Sequence, residues 1–576
     1  MEEPARAGAS PATDAAAALL DELVRRGVSD LVVSPGSRSQ SLALVAAALE
    51  TAGRVRLHVR IDERVAGFTA LGVARETGRP AAVICTSGTA AANLLPATLE
   101  AHHAGVPLLL LTADRPPELR GVGANQATHQ PGIFGSGVRF ERDVPVPAEV
   151  DAAGTGPQTA RLRALAADAY AAATAPRRAG PVHLNLPFRE PLAGALPAWL
   201  VAETPAPPDP TARVLETAAK PEPRMLERGP RTVVVAGADA GDAAEALAHE
   251  GGWPLVAEIV SGTRFGRHAV RSYRVLLRDP ALGGRVERAV ILGHPTLSRE
   301  LVALLSRRDI EVIAVRGPGE PLGLNGATIA AEAVAVAPGD ADRAWLGAWL
   351  RAGQEASPDL DPPAPDLDGL SSAVPHDRLE AVAAELAAVR RPLDRAALVD
   401  AVWRATWPHD RLVFGSSRLV RVADDLLPGK KVPVHANRGL AGIDGTVATA
   451  TGIALASQAD GRPGVTRVLL GDLALLHDVG ALHLPPDEPE PRIQVIVGND
   501  GGGTIFDLLE VAGLAGAQDM DRVLYTPHTV RLEQLATAYG WEYTRATTRA
   551  ALDQALITPV GGRQLIEVPL ERGNRQ

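Results

Sequence analysis

Short, nearly continuous apolar runs recur along the chain, and between them apolar positions return every three to four residues. Early in the chain, LVVS (31–34), VRLHVRI (55–61), AAVICT (81–86), PLLLLTA (107–113) and PVHLNLP (181–187) read as strands, with helical patterns such as Asp14–Arg26 between them. TVVVAG (232–237), AVILG (289–293) and EVIAV (311–315) repeat the arrangement in the middle. RLVFGSS (411–417), TRVLLGD (466–472), RIQVIVGN (492–499) and RQLIEVP from Arg563 repeat it again near the end. Val/Ile/Leu runs without polar alternation suit strands covered on both faces, and the intervening helices supply the crossovers of parallel sheets. The pattern therefore predicts an α/β protein built from three doubly wound parallel-sheet domains. Two Pro/Asp-rich stretches, TPAPPDP (204–210, with PEP at 221–223) and SPDLDPPAPDLDG (357–369), read as linkers. They divide the chain into 1–200, 210–355 and 375–576.

Composition narrows the function classes. Fifty-eight basic and 68 acidic side chains leave a net charge of −10, which disfavours sequence-independent nucleic-acid binding, where clustered Lys/Arg must meet phosphates. The single cysteine, Cys85, rules out an intramolecular disulfide and a multi-cysteine metal site, and its apolar strand context suggests packing. No secretory signal is evident in residues 1–12, and no apolar run approaches the ~18 residues needed to span a bilayer. The expectation is a cytoplasmic protein with no membrane span.

Chemistry should collect in the loops after the strands, where open parallel sheets bind ligands. There the chain places SPGSRS (34–39), IDER (61–64), TSGTAAAN (86–93), TADRPPELRGVGANQ (112–126), GSSRLVR (415–421), NRGLAGIDG (437–445), GDLALLHD (471–478) and GNDGGGTIF (498–506). Glu63 stands where a strand gives way to an apolar helix, and a buried carboxylate there needs a partner. The plain alternative is a helix start, with Asp62 as cap and Glu63 favourable to the dipole. Asp472, after Gly471, and Asn499 lie one strand–helix–strand return apart. With a nearby backbone carbonyl they offer hard oxygen ligands suited to Mg²⁺, and the run from Gly501 to Gly503 lets backbone approach a bulky anion. Taken singly, Asp472 could equally cap a helix and the glycines form a turn.

Together these motifs resemble the thiamin diphosphate (ThDP)-dependent decarboxylase and acetolactate-synthase superfamily. The third position of its Gly-Asp motif is often Gly and here is Leu473. With SPGSRS, DERVAGFTALG, TADRPPELRGVGANQ and NRGLAGIDG, that departure is similar to the MenD family of menaquinone biosynthesis, the 2-succinyl-5-enolpyruvyl-6-hydroxy-3-cyclohexene-1-carboxylate (SEPHCHC) synthases. The resemblance covers the first and third domains well and the middle domain weakly. It implies a pyruvate decarboxylase/acetolactate synthase-like architecture. The first domain would bind the pyrimidine and the third the diphosphate, with Mg²⁺ (Mn²⁺ as an alternative) held by Asp472, Asn499 and Gly501. Glu63 would hydrogen-bond N1′ of the aminopyrimidine and favour the imino tautomer that deprotonates thiazolium C2. Ile443 would support the bent cofactor, while Gln126 would face its reactive side.

The resemblance also implies decarboxylation of 2-oxoglutarate and 1,4-addition of the succinyl carbanion equivalent to isochorismate. Both substrates are dicarboxylates, for which bidentate arginines are suited. Ser37, Arg38, Arg115, Ser417, Arg421, Arg438 and Arg299 are the candidate contacts, with Phe506 packing on the ring. The sites would lie between subunits of a homodimer or homotetramer. TVVVAG is not followed by a Gly-x-Gly-x-x-Gly signature, so the middle domain is expected to bind no dinucleotide. His102, His103 and His477 receive no role. The competing readings are an acetolactate-synthase-like carboligase or 2-oxo-acid decarboxylase, and a catalytically inactive ThDP-binding scaffold.

Overall fold

Three parallel sheets organise the chain in the computed structural model, which describes residues 8–151, 153–202, 221–317, 319–360, 364–390 and 392–572. TPAPPDP and part of the second Pro/Asp-rich stretch lie outside the described residues. The first sheet holds β1 (Asp30–Val33), β2 (Arg56–Val59), β3 (Ala81–Cys85), β4 (Leu108–Asp114), β5 (Phe140–Asp143) and β6 (Pro181–Pro187), in the order β2-β1-β3-β4-β6-β5. In the middle, β7 (Arg224–Leu226) pairs with β13 (Val334–Val336). A five-stranded sheet there runs β12 (Ile329–Ala331), β11 (Glu311–Val315), β10 (Arg288–Leu292), β8 (Thr232–Ala236), β9 (Leu255–Ala257). The third sheet holds β14 (Arg411–Phe414), β15 (Val434–His435), β16 (Thr466–Gly471), β17 (Ile493–Asn499), β18 (Glu542–Arg545) and β19 (Arg563–Pro569), in the order β15-β14-β16-β17-β19-β18. The predicted α/β class with several parallel sheets holds.

Every strand read from sequence is present within a few residues. Those missed are β5, β9, β12, β15 and β18, all at sheet edges, and the separate β7/β13 pair. Central strands such as β3, β4 and β6 are buried along their whole length, which forces the continuous apolar runs. Edge strands have less to cover them, so FERD in β5 and EYTR in β18 keep a polar character that carries no strand signal.

The first and third sheets are joined by one apolar core that includes Val32, Leu71 and Val83 together with Ile453, Val468 and Leu565. Its seam is the crossing of helix Glu63–Thr77 with helix Thr446–Ser457. Gly72 faces the Thr449 carbonyl so closely that a Cβ would stand 2.0 Å from it, and Gly452 faces the Thr69 carbonyl at 2.1 Å. Two glycines thus bring the helix backbones together and fix how the Glu63 loop sits relative to the third sheet. The middle sheet packs on the third through Ile259, Val260 and Leu297 against Leu419, Val420 and Leu427.

Candidate active site

In the first sheet the strand order reverses between β1 and β3, and that switch point gathers the loops after β1 to β4. SPGSRS lies tight on TSGT: a Cβ at Gly36 would fall 2.3 Å from Thr86 Cβ. After β2, the Asp62 carboxylate caps the helix, accepting from Arg64 N at 2.8 Å and Val65 N at 3.4 Å. That leaves Glu63 free of capping duty. Its half-buried carboxylate meets no other side chain by hydrogen bond or ion pair among the described residues, and burial raises its pKa, with Asp62 adding to the rise. Cys85 lies close enough to feel the Glu63 charge and is fully buried, which pushes its thiol pKa upward and leaves it a packing residue.

Ser87 links Arg115 to Gln126. Its Oγ accepts from the Arg115 guanidinium and donates to the Gln126 carbonyl at 2.9 Å. Gln126 Nε2 in turn donates to the Ser87 carbonyl at 3.0 Å. Gln126 holds a left-handed backbone, φ 55°, unusual for a non-glycine and a mark of a loop shaped for more than stability. Arg115 is buried, and its pKa is lowered by burial and by the neighbouring Arg38. Arg38 itself donates to the Phe188 carbonyl at 3.1 Å. Two guanidiniums thus lie near one another with their side-chain hydrogen bonds made to neutral oxygens, and Asp114 is the carboxylate close to Arg115. Ser37 lies exposed on the Arg38 loop.

The third sheet reverses between β14 and β16. Gly471 of β16 pairs with Gly498 of β17, so Asp472 and Asn499 emerge from adjacent strand ends, as their spacing suggested. Asp472 is 2 % exposed. Its oxygens accept from Leu473 N (2.8 Å), Gly502 N (2.7 Å) and His528 Nε2 (3.0 Å). Burial and the nearby Asp500 raise its pKa, and the His528 contact opposes them. Asn499 donates to Glu567 Oε1 at 2.7 Å, and its Oδ1 accepts from Gly501 N at 3.1 Å. The Gly501 carbonyl accepts from the Arg572 guanidinium. Gly501 and Gly502 have φ of 68° and 146°, and a Cβ on Gly502 would meet the Tyr525 carbonyl at 2.4 Å.

Arg438 lies at the junction with the middle sheet. Arg438 is 6 % exposed and donates to Thr296 Oγ1 (2.8 Å), the Thr296 carbonyl (3.1 Å) and Ser416 Oγ (3.3 Å). Arg421 donates to the Ser417 carbonyl at 3.0 Å. Burial lowers the pKa of both arginines, and the Arg438 charge lowers that of Arg421 further. Ser417 caps helix Arg418–Leu426 by accepting from Leu419 N. Ile443 packs at the margin of the shared core, and Phe506 lies half-buried against Gly503. Arg299 is 68 % exposed and pairs with Glu510 at 3.2 Å, and its charge is among those that lower the pKa of Arg421. Sequence reasoning missed Ser87, although TSGT was among the strand-end motifs, and missed His528, which sits in a loop with no strand pattern to announce it. It also missed Glu100, whose carboxylate holds Gly439 N (2.8 Å) and Leu440 N (2.7 Å) of the NRGLAGIDG loop.

Residues 13–133 match the family described as thiamine pyrophosphate enzyme, N-terminal TPP binding domain. The chain is 55 % identical to the 2-succinyl-5-enolpyruvyl-6-hydroxy-3-cyclohexene-1-carboxylate synthase of Leifsonia xyli subsp. xyli, over 98 % of this chain and 97 % of that protein. The chain belongs to the SEPHCHC synthase family. Its counterparts in Clavibacter michiganensis subsp. michiganensis and Thermobifida fusca are 54 % and 43 % identical, each over 98 % of this chain and 97 % and 96 % of theirs. Benzoylformate decarboxylase from Polynucleobacter necessarius shares the fold, with a TM-score of 0.65 at 14 % identity, over 99 % of this chain and 100 % of that one. The chain is therefore a ThDP-dependent enzyme whose architecture is that of the wider superfamily. Among the described residues no helix is long and apolar enough to cross a membrane.

Proposed function

We propose that this protein is an Mg²⁺-dependent SEPHCHC synthase: it releases CO₂ from 2-oxoglutarate and joins the remaining four-carbon succinyl fragment to isochorismate by 1,4-addition. The relatives' shared name supports the substrates. The observation that carries the reading is Glu63, a half-buried carboxyl of raised pKa with no side-chain partner among the described residues. Such a group is suited to share a proton with a nitrogen base brought to it.

The residues fit the cofactor and metal. Asp472 is a buried carboxylate with no Lys or Arg ion-pair partner among the described residues, His528 bonds to it, and Asp500 adds negative charge nearby. Asp472, Asn499 and the Gly501 carbonyl, once Arg572 yields it, form an oxygen set of the kind Mg²⁺ takes. Gly471, Gly501 and Gly502 supply the close backbone approach a diphosphate needs. When bound, ThDP supplies the carbon nucleophile and the electron sink for decarboxylation. Glu63 holds the proton at the pyrimidine nitrogen, Ile443 supports the cofactor and Gln126 closes the reactive side. Arg38 orients isochorismate, Arg421 and Arg438 the same substrate or the succinyl tail, and Arg115 is a further carboxylate contact.

We further infer that residues 1–200 form the pyrimidine-binding domain, 210–355 the central domain and 375–576 the diphosphate-binding domain. Two copies then complete each site, as a dimer or a dimer of dimers. Ile61, Val122 and Leu440, beside Glu63, Gln126 and Arg438, are 70 %, 67 % and 53 % exposed, apolar surface suited to a second copy. Incubation with ThDP, Mg²⁺ and 2-oxoglutarate, with and without isochorismate, tests the reaction. CO₂ release accompanied by isochorismate loss is expected. CO₂ without isochorismate loss would instead indicate a simple decarboxylase, and silence in both an inactive scaffold.

A further inference from the structure

Among the described residues Arg438 has no ion-pair partner within bonding distance; beside a longer contact to Ser416 Oγ, its orientation comes from Thr296, a residue of the middle sheet's β10–helix loop. That loop is itself anchored. Glu258, which follows β9 and is fully buried, accepts from Thr296 N at 3.0 Å with one carboxylate oxygen and from Leu297 N at 2.7 Å with the other. One carboxylate thus fixes two consecutive amides of the segment that grips Arg438 through its hydroxyl and carbonyl. The next residue, Ser298, caps the helix that begins at Arg299.

A second buried acid acts on the neighbouring arginine. Asp424 lies three residues after Arg421 on the same helix. It accepts from Ile259 N (2.8 Å), Tyr273 Oη (2.5 Å) and Arg264 (3.2 Å), all contributed by the middle part of the chain. Two adjacent buried carboxylates at one junction are a costly arrangement. Burial pushes both pKa values upward, and the Asp424 charge adds to the rise at Glu258. A hydrophobic pair could hold two modules together without that cost, so the arrangement calls for a geometric purpose.

We propose that Glu258 is a positioning residue: through Thr296 it sets the angle and depth of the Arg438 guanidinium, so that the middle domain tunes dicarboxylate binding without touching substrate. This rests on the reading of Arg438 as a substrate contact. Orientation of a binding group acts on substrate capture more than on the bond-making step. Asp424, bonded to Ile259 directly after Glu258, steadies the Arg421 helix in the same frame.

The experiment uses the full-length holoenzyme with Glu258→Gln and Thr296→Val, compared by crystallography and steady-state kinetics. The expected result is an Arg438 side chain that leaves the Thr296 position, a KM for isochorismate or 2-oxoglutarate raised about tenfold, and kcat within about threefold of wild type. In free energy a tenfold change is about 1.4 kcal/mol. Arg438 in its original place with KM unchanged overturns the proposal, as does a lower melting temperature with unaltered kinetics, which would mark Glu258 as merely structural. Should Glu258→Gln fail to fold, Thr296→Val, one contact nearer the arginine, decides by the same two readouts. A wild-type enzyme that leaves isochorismate untouched would sink the proposed function, while the position of Arg438 in the two variants still decides the positioning role.

Discussion

The contrast between Asp62 and Glu63 shows how little separates a structural carboxylate from a chemical one. Both stand at one helix start; Asp62 folds back onto the amides of Arg64 and Val65, and Glu63 is left beside Cys85 with its charge unmatched. Glu63→Gln preserves shape and removes the titratable proton. It is expected to lower turnover by roughly two to four orders of magnitude, the range for loss of a positioned acid/base. The fold should be unchanged by circular dichroism, and a variant with wild-type turnover would remove Glu63 from the chemistry. Asp478 makes a different case. It is fully buried, accepts from Ala448 N at 2.9 Å and has Arg64 no nearer than 3.8 Å, so burial pushes its pKa up to about 8. The folded state therefore binds a proton that the unfolded chain, with a carboxyl near 3.9, gives up. The resulting stability is complete below about pH 4 and is lost as pH rises through 8. Asp478→Asn should flatten the decline in melting temperature between pH 5 and 8; an equally steep decline would show that other groups set it.

At the scale of elements, the decisive contact is the glycine-lined crossing of helices Glu63–Thr77 and Thr446–Ser457. Gly72→Ala places a methyl 2.0 Å from a backbone carbonyl that has no side-chain freedom to yield. It is expected to cost about 1–3 kcal/mol, the range for an overpacked core, read as a lower denaturant midpoint at constant slope. No shift in midpoint would mean that the helices can separate without loss. This seam was invisible in the sequence: Gly72 sits in ALGVA and Gly452 in ATGIA, and a helical glycine reads as a weak helix former until its opposite number is known. The strands were legible for the opposite reason. Central parallel strands must be apolar on both faces, and that requirement writes itself into consecutive residues, whereas edge strands such as β5 and β18 escape it.

For the whole molecule, the first and third sheets already share one core within a single chain, yet exposed apolar residues remain at Ile61, Val122 and Leu440, next to the candidate site. A self-association that completes each site should make specific activity fall on dilution through the dissociation constant, in step with the sedimentation coefficient. A monomer of full specific activity would overturn the two-copy reading. Arg299 belongs to this scale as well. Its motif context suggested a substrate contact; the side chain stands exposed beside Glu510, and Arg421 lies near enough to feel its charge.

The amino-acid order alone determined the α/β class, the strand-end loops and the placement of Asp472 and Asn499 at neighbouring strand ends. Each of these depends on short-range spacing: continuous apolar runs, and one strand–helix–strand return that puts two polar side chains at neighbouring strand ends. Tertiary structure alone decided which carboxylate caps and which stays unpaired, which arginines are buried together, and that Ser87, His528, Glu100 and Glu258 stand behind the named motifs. Those facts arise mostly from contacts between segments tens to hundreds of residues apart, such as Ser87 with Gln126 and Glu100 with Gly439, and spacing along the chain carries no record of such contacts.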